Sequence, residues 1–290
     1  MNIVFEVVLP TFVIIALGFF LGKIKKLSIG TLVYIIIYIS APALAFSSIY
    51  ENQIILNDVI SIAITATAVV LGILLIAFVT FKLFRIKHRA LYLPMMFGNT
   101  GYLGYPVIMF AYGLAGFSRA VLYVIIFDLL FYTIGIYVST KKSNIKEIFR
   151  LPLIYAVIAA LIIKYLNVNL PSLIIQPIST LGLITVPVAL IVLGCQLSSI
   201  KSKSISYGLL GSAYRIGLGF LISVIVVSLL GTTGVTKNVI IVEGAMPAAV
   251  MSLIITSKYS KKDAPLTASI VFVSTVLSIL TIPLVLWFLS

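Results

Sequence analysis

Phe97-Gly98-Asn99-Thr100-Gly101-Tyr102-Leu103-Gly104-Tyr105-Pro106 sits inside an apolar run long enough to cross a bilayer, and it breaks that run. Proline removes a helix hydrogen bond and its ring clashes with the preceding turn. The glycines before it weaken the helix further. Backbone broken at membrane depth persists only where protein or a wet cavity satisfies its polar groups. About 140 residues later, Glu243-Gly244-Ala245-Met246-Pro247 interrupts a second apolar run in the same way. Two such breaks in corresponding halves of a chain point to the substrate site of a transporter.

The composition agrees with a membrane setting. Of 290 residues, 62% are hydrophobic and only 9% charged, against about 25% charged in soluble domains. The net charge of +13 does not indicate nucleic-acid binding, because the basic residues occur as short clusters between apolar spans. Cys195, the single cysteine, excludes an internal disulfide. The first apolar stretch lacks a basic segment before it, so it does not read as a signal peptide.

With about 20 apolar residues needed per crossing, ten spans are expected: roughly 2–22, 29–49, 59–81, 90–111, 119–138, 151–168, 173–197, 207–230, 237–258 and 264–289. Lysine and arginine concentrate in cytoplasmic loops. Sixteen of the 20 basic residues fall in alternate loops, within 23–26, 82–89, 141–150, 201–203 and 258–262. Arg119, Lys164 and Lys237 fall on the opposite side, and Arg215 lies within span eight. This alternation places both termini outside and the basic loops in the cytoplasm.

Ten spans divide into five and five of inverted topology: residues 1–138, a short loop 139–150, and residues 151–290. Sequence echoes support the division. Leu9-Pro10 matches Leu151-Pro152, Ile39-Ser40-Ala41-Pro42 matches Ile184-Thr185-Val186-Pro187, and Pro106 matches Pro247, all at nearly one offset. Inverted repeats are a common architecture of secondary transporters, with the site at the repeat interface.

Three stretches carry a family resemblance. They are Gly98-Asn99-Thr100-Gly101 through Gly104-Tyr105-Pro106, Pro187-Val188-Ala189-Leu190 through Gly194-Cys195-Gln196-Leu197, and Ala245-Met246-Pro247 through Lys258-Tyr259. On these, essentially the whole chain resembles a prokaryotic-type member of the auxin efflux carrier family of permeases, which includes the plant PIN-FORMED carriers. The resemblance implies an all-α polytopic fold of ten transmembrane helices, in which broken spans four and nine cross at their prolines, Pro106 and Pro247. It is similar to bile-acid symporters and sodium/proton antiporters. It further implies a scaffold domain of spans 1, 2, 6 and 7, a transport domain of spans 3–5 and 8–10, elevator-type alternating access, and a homodimer. Span three here lacks the charged pair of the plant carriers, and the long cytoplasmic loop of those carriers is absent, which argues against auxin itself as substrate. Prokaryotic members include permeases for small dicarboxylates.

Breaking a helix exposes backbone N–H groups and a partial positive charge at the start of its second half, an end suited to a carboxylate. Asn99 and Thr100 supply hydrogen bonds, and Gly101 and Gly104 allow close approach. With Pro106, Ala245, Pro247 and Gln196 they form the expected substrate site; Gln196 could instead bond a neighbouring helix. Glu243 is a carboxylate at membrane depth and so a functional candidate. It either carries a coupling proton or touches substrate, or it bonds the broken backbone structurally near the outer surface. Asp128 and Arg215 lie at similar depth and read as a buried ion pair, with snorkelling of Arg215 to the inner interface the alternative. His88 is expected in solvent, Cys195 in packing, and Trp287 at the membrane interface. Pro42 and Pro187 are expected to kink scaffold helices beside the site.

The function expected is therefore a secondary carrier of a small organic anion in the cell membrane. No cofactor, catalytic group or metal is expected, beyond H⁺ or Na⁺ as possible coupling ions. An intramembrane enzyme would need paired acids, a metal cluster or a nucleophile with its base on the spans. A channel or sensory membrane domain on the same fold, or a sodium-coupled symporter, is the alternative.

Overall fold

The computed structural model describes residues 3–24, 28–141, 149–200 and 204–290. Lys25, Lys26, Lys142, Lys146, Lys201 and Lys203, with most of the 139–150 linker, lie outside the described residues. The described chain is helical, and seven of its helices are long and apolar enough to cross a membrane. The protein is a multi-pass membrane protein. Large apolar side chains such as Leu17, Leu75, Leu280 and Trp287 face outward, as a lipid-facing surface requires.

The first two helical segments cover Ile3–Ile24 and 29–51, the latter passing through a π-helical turn at Ile36–Ser40 just before Pro42. Leu56–Leu83 follows unbroken. The next segment begins with Tyr92–Met96, breaks over 97–99, resumes through a π-helical turn at Thr100–Gly104, and continues from Tyr105. Gly113, at φ 59° and ψ −155°, then turns the chain directly into a helix that runs on to Thr140. Only glycine adopts such a conformation readily, which is why a turn expected over 111–119 occupies one residue. After the linker come Pro152–Tyr165, the paired helices Ser172–Leu183 and Thr185–Ser199, and a segment from Ile205 to Leu229 with a π-helical turn at Ala213–Leu218. The last two are Gly234–Gly244, broken before Val250–Tyr259, and Ala264–Leu289.

The segments pack in close pairs. Ile3–Ile24 lies along Thr185–Ser199, and Ala41–Glu51 packs on Pro152–Tyr165 and Ser172–Leu183. Leu56–Leu83 packs on the Tyr105–Leu130 helix and on Gly219–Leu229, while Ile205–Ser212 packs on Ala264–Leu289. Small residues allow the closest of these approaches. A methyl group on Gly194 would overlap the Ile15 carbonyl of the first helix. Cys195 is buried in the same seam, its thiol donating to the Gly18 carbonyl at 3.1 Å.

Polar contacts tie the segment ends. Arg119 donates to Asp58 at 2.8 Å and to the Thr236 hydroxyl at 2.7 Å, and Thr236 donates to Asp58 at 2.6 Å. Lys164 donates to the carbonyls of Ile49, Tyr50 and Asn52. His88 does not stand free in solvent. It meets Asp263 at 2.7 Å, joining the loop after Leu56–Leu83 to the loop before Ala264–Leu289.

Candidate functional site

The two breaks meet. Gly98 and Ala248 form an isolated antiparallel bridge, in which Asn99 N–H donates to the Pro247 carbonyl at 2.6 Å and Ala249 N–H to the Phe97 carbonyl at 3.0 Å. Ala248 N–H donates to the Ser274 hydroxyl at 3.0 Å. Each break thus supplies the hydrogen bonds the other lost, as the bilayer core demands. The crossing falls at Gly98 and Ala248: beside Pro247, as expected, but well before Pro106. Pro106 sits in the first turn of the Tyr105–Leu130 helix, where a missing N–H is least damaging. The break precedes it because the chain leaves helical geometry at Phe97, which is extended.

Arg215 organises the crossing. Its side chain is fully buried and donates to the carbonyls of Met246 at 3.1 Å, Glu243 at 3.1 Å and Gly244 at 2.9 Å, with Met96 at 3.5 Å. These carbonyls end the two first half-helices or lie in the break beyond them, where orphan acceptors and partial negative charge collect. One guanidinium fork therefore caps both helices, a task its five donors suit. Its carbon lies 5.5 Å from the Phe127 ring centre, within cation–π range. Glycines make the room: a Cβ on Gly98 would stand 2.7 Å from Arg215 Nε. The expected Asp128–Arg215 ion pair is not formed; the ion pairs found among the described residues are Arg119–Asp58 and His88–Asp263. Neither does Arg215 snorkel, because the carbonyls of the breaks offer it charge-assisted bonds within the protein.

The opposite side of the crossing is open. A cavity of about 170 Å³ is lined there by Asn99, Thr100 and Gly101 at the start of one second half-helix and by Ala249, Val250 and Met251 at the start of the other. The first N–H groups of each helix have no acceptor within it, so two partly positive ends converge on this space. Asn99 is buried with its Nδ2 bonded to nothing, and the Thr185 hydroxyl, also on the wall, is likewise unpartnered. Tyr102, Tyr105, Phe127, Asp128, Phe131 and Tyr132 also line it, together with Ile36, Ile37, Ala41, Ala189, Leu151 and Leu153.

Of the residues singled out in the sequence, Asn99, Thr100, Gly101 and Asp128 line the cavity, whereas Gly104, Pro106, Ala245, Pro247 and Gln196 do not. Gln196 is half-buried with Oε1 unpartnered. Glu243 is fully buried and also off the cavity. Its two carboxylate oxygens bond nothing and lie against Gly104, where a methyl group would overlap them. It is thus neither near the surface nor bonded to broken backbone. Thr185 and the aromatic residues were not distinguishable by sequence as cavity residues. Thr185 did carry a signal, being the polar member of the echo of Ile39-Ser40-Ala41-Pro42.

An all-helical, multi-pass bundle whose broken helices enclose a small cavity is the build of a membrane transport protein. The chain belongs to the membrane transport protein family, that of the auxin efflux carriers, whose family model matches residues 3–144 and 136–286. It is 32% identical over 307 residues to an uncharacterized transporter of Methanocaldococcus jannaschii, with 98% of each chain covered. It is 26% identical over 295 residues to an uncharacterized transporter of Methanothermobacter thermautotrophicus, with 96% of each covered.

Proposed function

We propose that this protein is a secondary carrier of a small organic anion, a carboxylate, working by elevator-type alternating access. The observation that carries the reading is the cavity itself: two helix starts and the unpartnered Asn99 amide nitrogen border one space. That arrangement offers hydrogen-bond donors and partial positive charge with little competing water. The volume bounds the ligand, because a cavity of about 150 Å³ holds a benzene-sized molecule.

The packing supports two bodies. Spans 1, 2, 6 and 7 form a scaffold domain, and spans 3–5 and 8–10 a transport domain. Ile36, Ile37, Ala41, Thr185 and Ala189 reach the cavity from the former, and the crossover residues and Asp128 from the latter. Sliding one body past the other would carry the site across the membrane. The antiparallel pairing of Gly98 with Ala248 is what two inverted five-span repeats, 1–138 and 151–290, would produce about an axis in the membrane plane.

A thermal-shift screen of purified protein against mono- and dicarboxylates tests the reading, since a ligand bound to the folded state raises apparent stability. A carboxylate that raises the melting temperature of the wild type, and raises it less in Asn99→Ala, is the expected result. Stabilisation by organic amines and by no carboxylate would refute it.

A further inference from the structure

The anion cavity contains a carboxylate of its own. Asp128 lines the same cavity as the two helix starts, and neither of the ion pairs found among the described residues includes it. Among the described residues lining the cavity, none is a cation that would balance the charge. Tyr102 and Tyr105 come from the second half of span four and Tyr132 from Asp128's own helix; the start of the second half of span nine and the described scaffold residues put no charged or titratable side chain on the lining. Arg215, the cation packed on neighbouring Phe127, directs its donors to the carbonyls on the far side of the crossing. Glu243 lies outside the cavity.

Two helix ends supply roughly half a positive charge each, about enough to balance one carboxylate. With Asp128 ionised they are already balanced, and an entering anion would stand as a second, uncompensated negative charge in a poorly hydrated space. Such a charge carries a large solvation penalty, and like charges sharing a site cannot both remain ionised. With Asp128 protonated, the helix ends are free for the anion, and the carboxyl O–H becomes a further donor.

We propose that Asp128 binds one proton for each carboxylate that occupies the cavity, so that the protein is a proton–anion symporter with Asp128, rather than Glu243, as the coupling residue. The proton comes from water on the side to which the cavity is open, bonds a carboxylate oxygen of Asp128, crosses with the anion, and returns to water on the other side. No other bond changes. The inference rests on the organic-anion reading of the cavity.

The test uses the full-length protein and three probes: propionate, succinate and benzoate. Affinity is measured by thermal shift from about pH 7 to pH 9, a range in which all three probes are fully ionised. In the wild type, affinity should fall about tenfold per pH unit above the point where Asp128 loses its proton, as linkage to one proton requires. Asp128→Asn should bind with no such fall, and in proteoliposomes it should exchange probe for probe while a pH gradient no longer drives accumulation. Glu243→Gln should keep the wild-type pH profile. The proposal is overturned if wild-type binding does not vary with pH, if Asp128→Asn keeps the wild-type profile, or if Glu243→Gln alone abolishes it. If none of the probes binds the wild type at any pH, the organic-anion reading itself fails for carboxylates of this size.

Discussion

Replacing Arg215 by methionine removes the shared cap of the two first half-helices while keeping much of the side-chain volume. Three carbonyls, of Met246, Glu243 and Gly244, lose bonds of 2.9–3.1 Å, and Met96 loses one of 3.5 Å. All lie in a fully buried environment. A buried acceptor left without a partner costs about 1–3 kcal/mol. Carbonyls have other donors to find and the losses are not additive, so a total of about 3–5 kcal/mol for the three is the working value. At about 2–4 °C per kcal/mol for a chain of comparable size, the apparent melting temperature should fall by about 6–20 °C. Arg215→Lys should fall between, because one ammonium cannot span both helix ends. The assay is thermal unfolding of purified protein in detergent. A melting temperature of Arg215→Met within about 2 °C of wild type, less than 1 kcal/mol on that scale, would refute the shared cap.

The other expectations concern neighbouring contacts. Gly98→Ala puts a methyl group 2.7 Å from Arg215 Nε; it should lower the melting temperature of the wild type but add little to Arg215→Met, a coupling that a double-mutant cycle reads directly. Gly104→Ala drives a methyl into the Glu243 carboxylate and should destabilise by about 1–3 kcal/mol; Glu243→Ala, which clears the space, should restore stability in the double mutant. Asn99→Ala removes an amide nitrogen that bonds nothing, so the melting temperature without ligand should hold while the carboxylate-induced rise shrinks. Arg119→Met leaves Asp58 with the Thr236 hydroxyl and the Ile55 N–H, the latter at 3.4 Å; at 14% and 12% side-chain exposure for the pair, a loss of about 1–3 kcal/mol is expected, larger than an exposed pair would give, measured as a lower melting temperature.

Apolar spans and the two helix breaks were legible because both follow from local chemistry. A lipid-crossing helix must be apolar, and Gly98, Asn99 and Pro247 cannot sit in one unnoticed. The crossing on span four lies before Pro106 because proline, although the conspicuous breaker, is tolerated in a first turn, and the chain leaves the helix at Phe97. Arg215 and Asp128 stood out as charges at membrane depth, yet pairing by depth ignored direction: Arg215 points to carbonyls of the breaks, and Asp128 to the cavity. Backbone carbonyls leave no mark in a sequence, so their claim on Arg215 could not be anticipated. Thr185 carried a weak mark, as the polar member of the echo of Ile39-Ser40-Ala41-Pro42, but its place on the cavity depends on how two distant helices face one space.

Counterflow in proteoliposomes tests the central claim most directly. Vesicles loaded with an unlabelled carboxylate that stabilises the protein are diluted into the labelled compound. A carrier with one cavity at the crossing predicts transient, saturable accumulation of label, weakened in Asn99→Ala. Uptake that rises linearly with concentration, without counterflow and unaffected by Asn99→Ala, would contradict it.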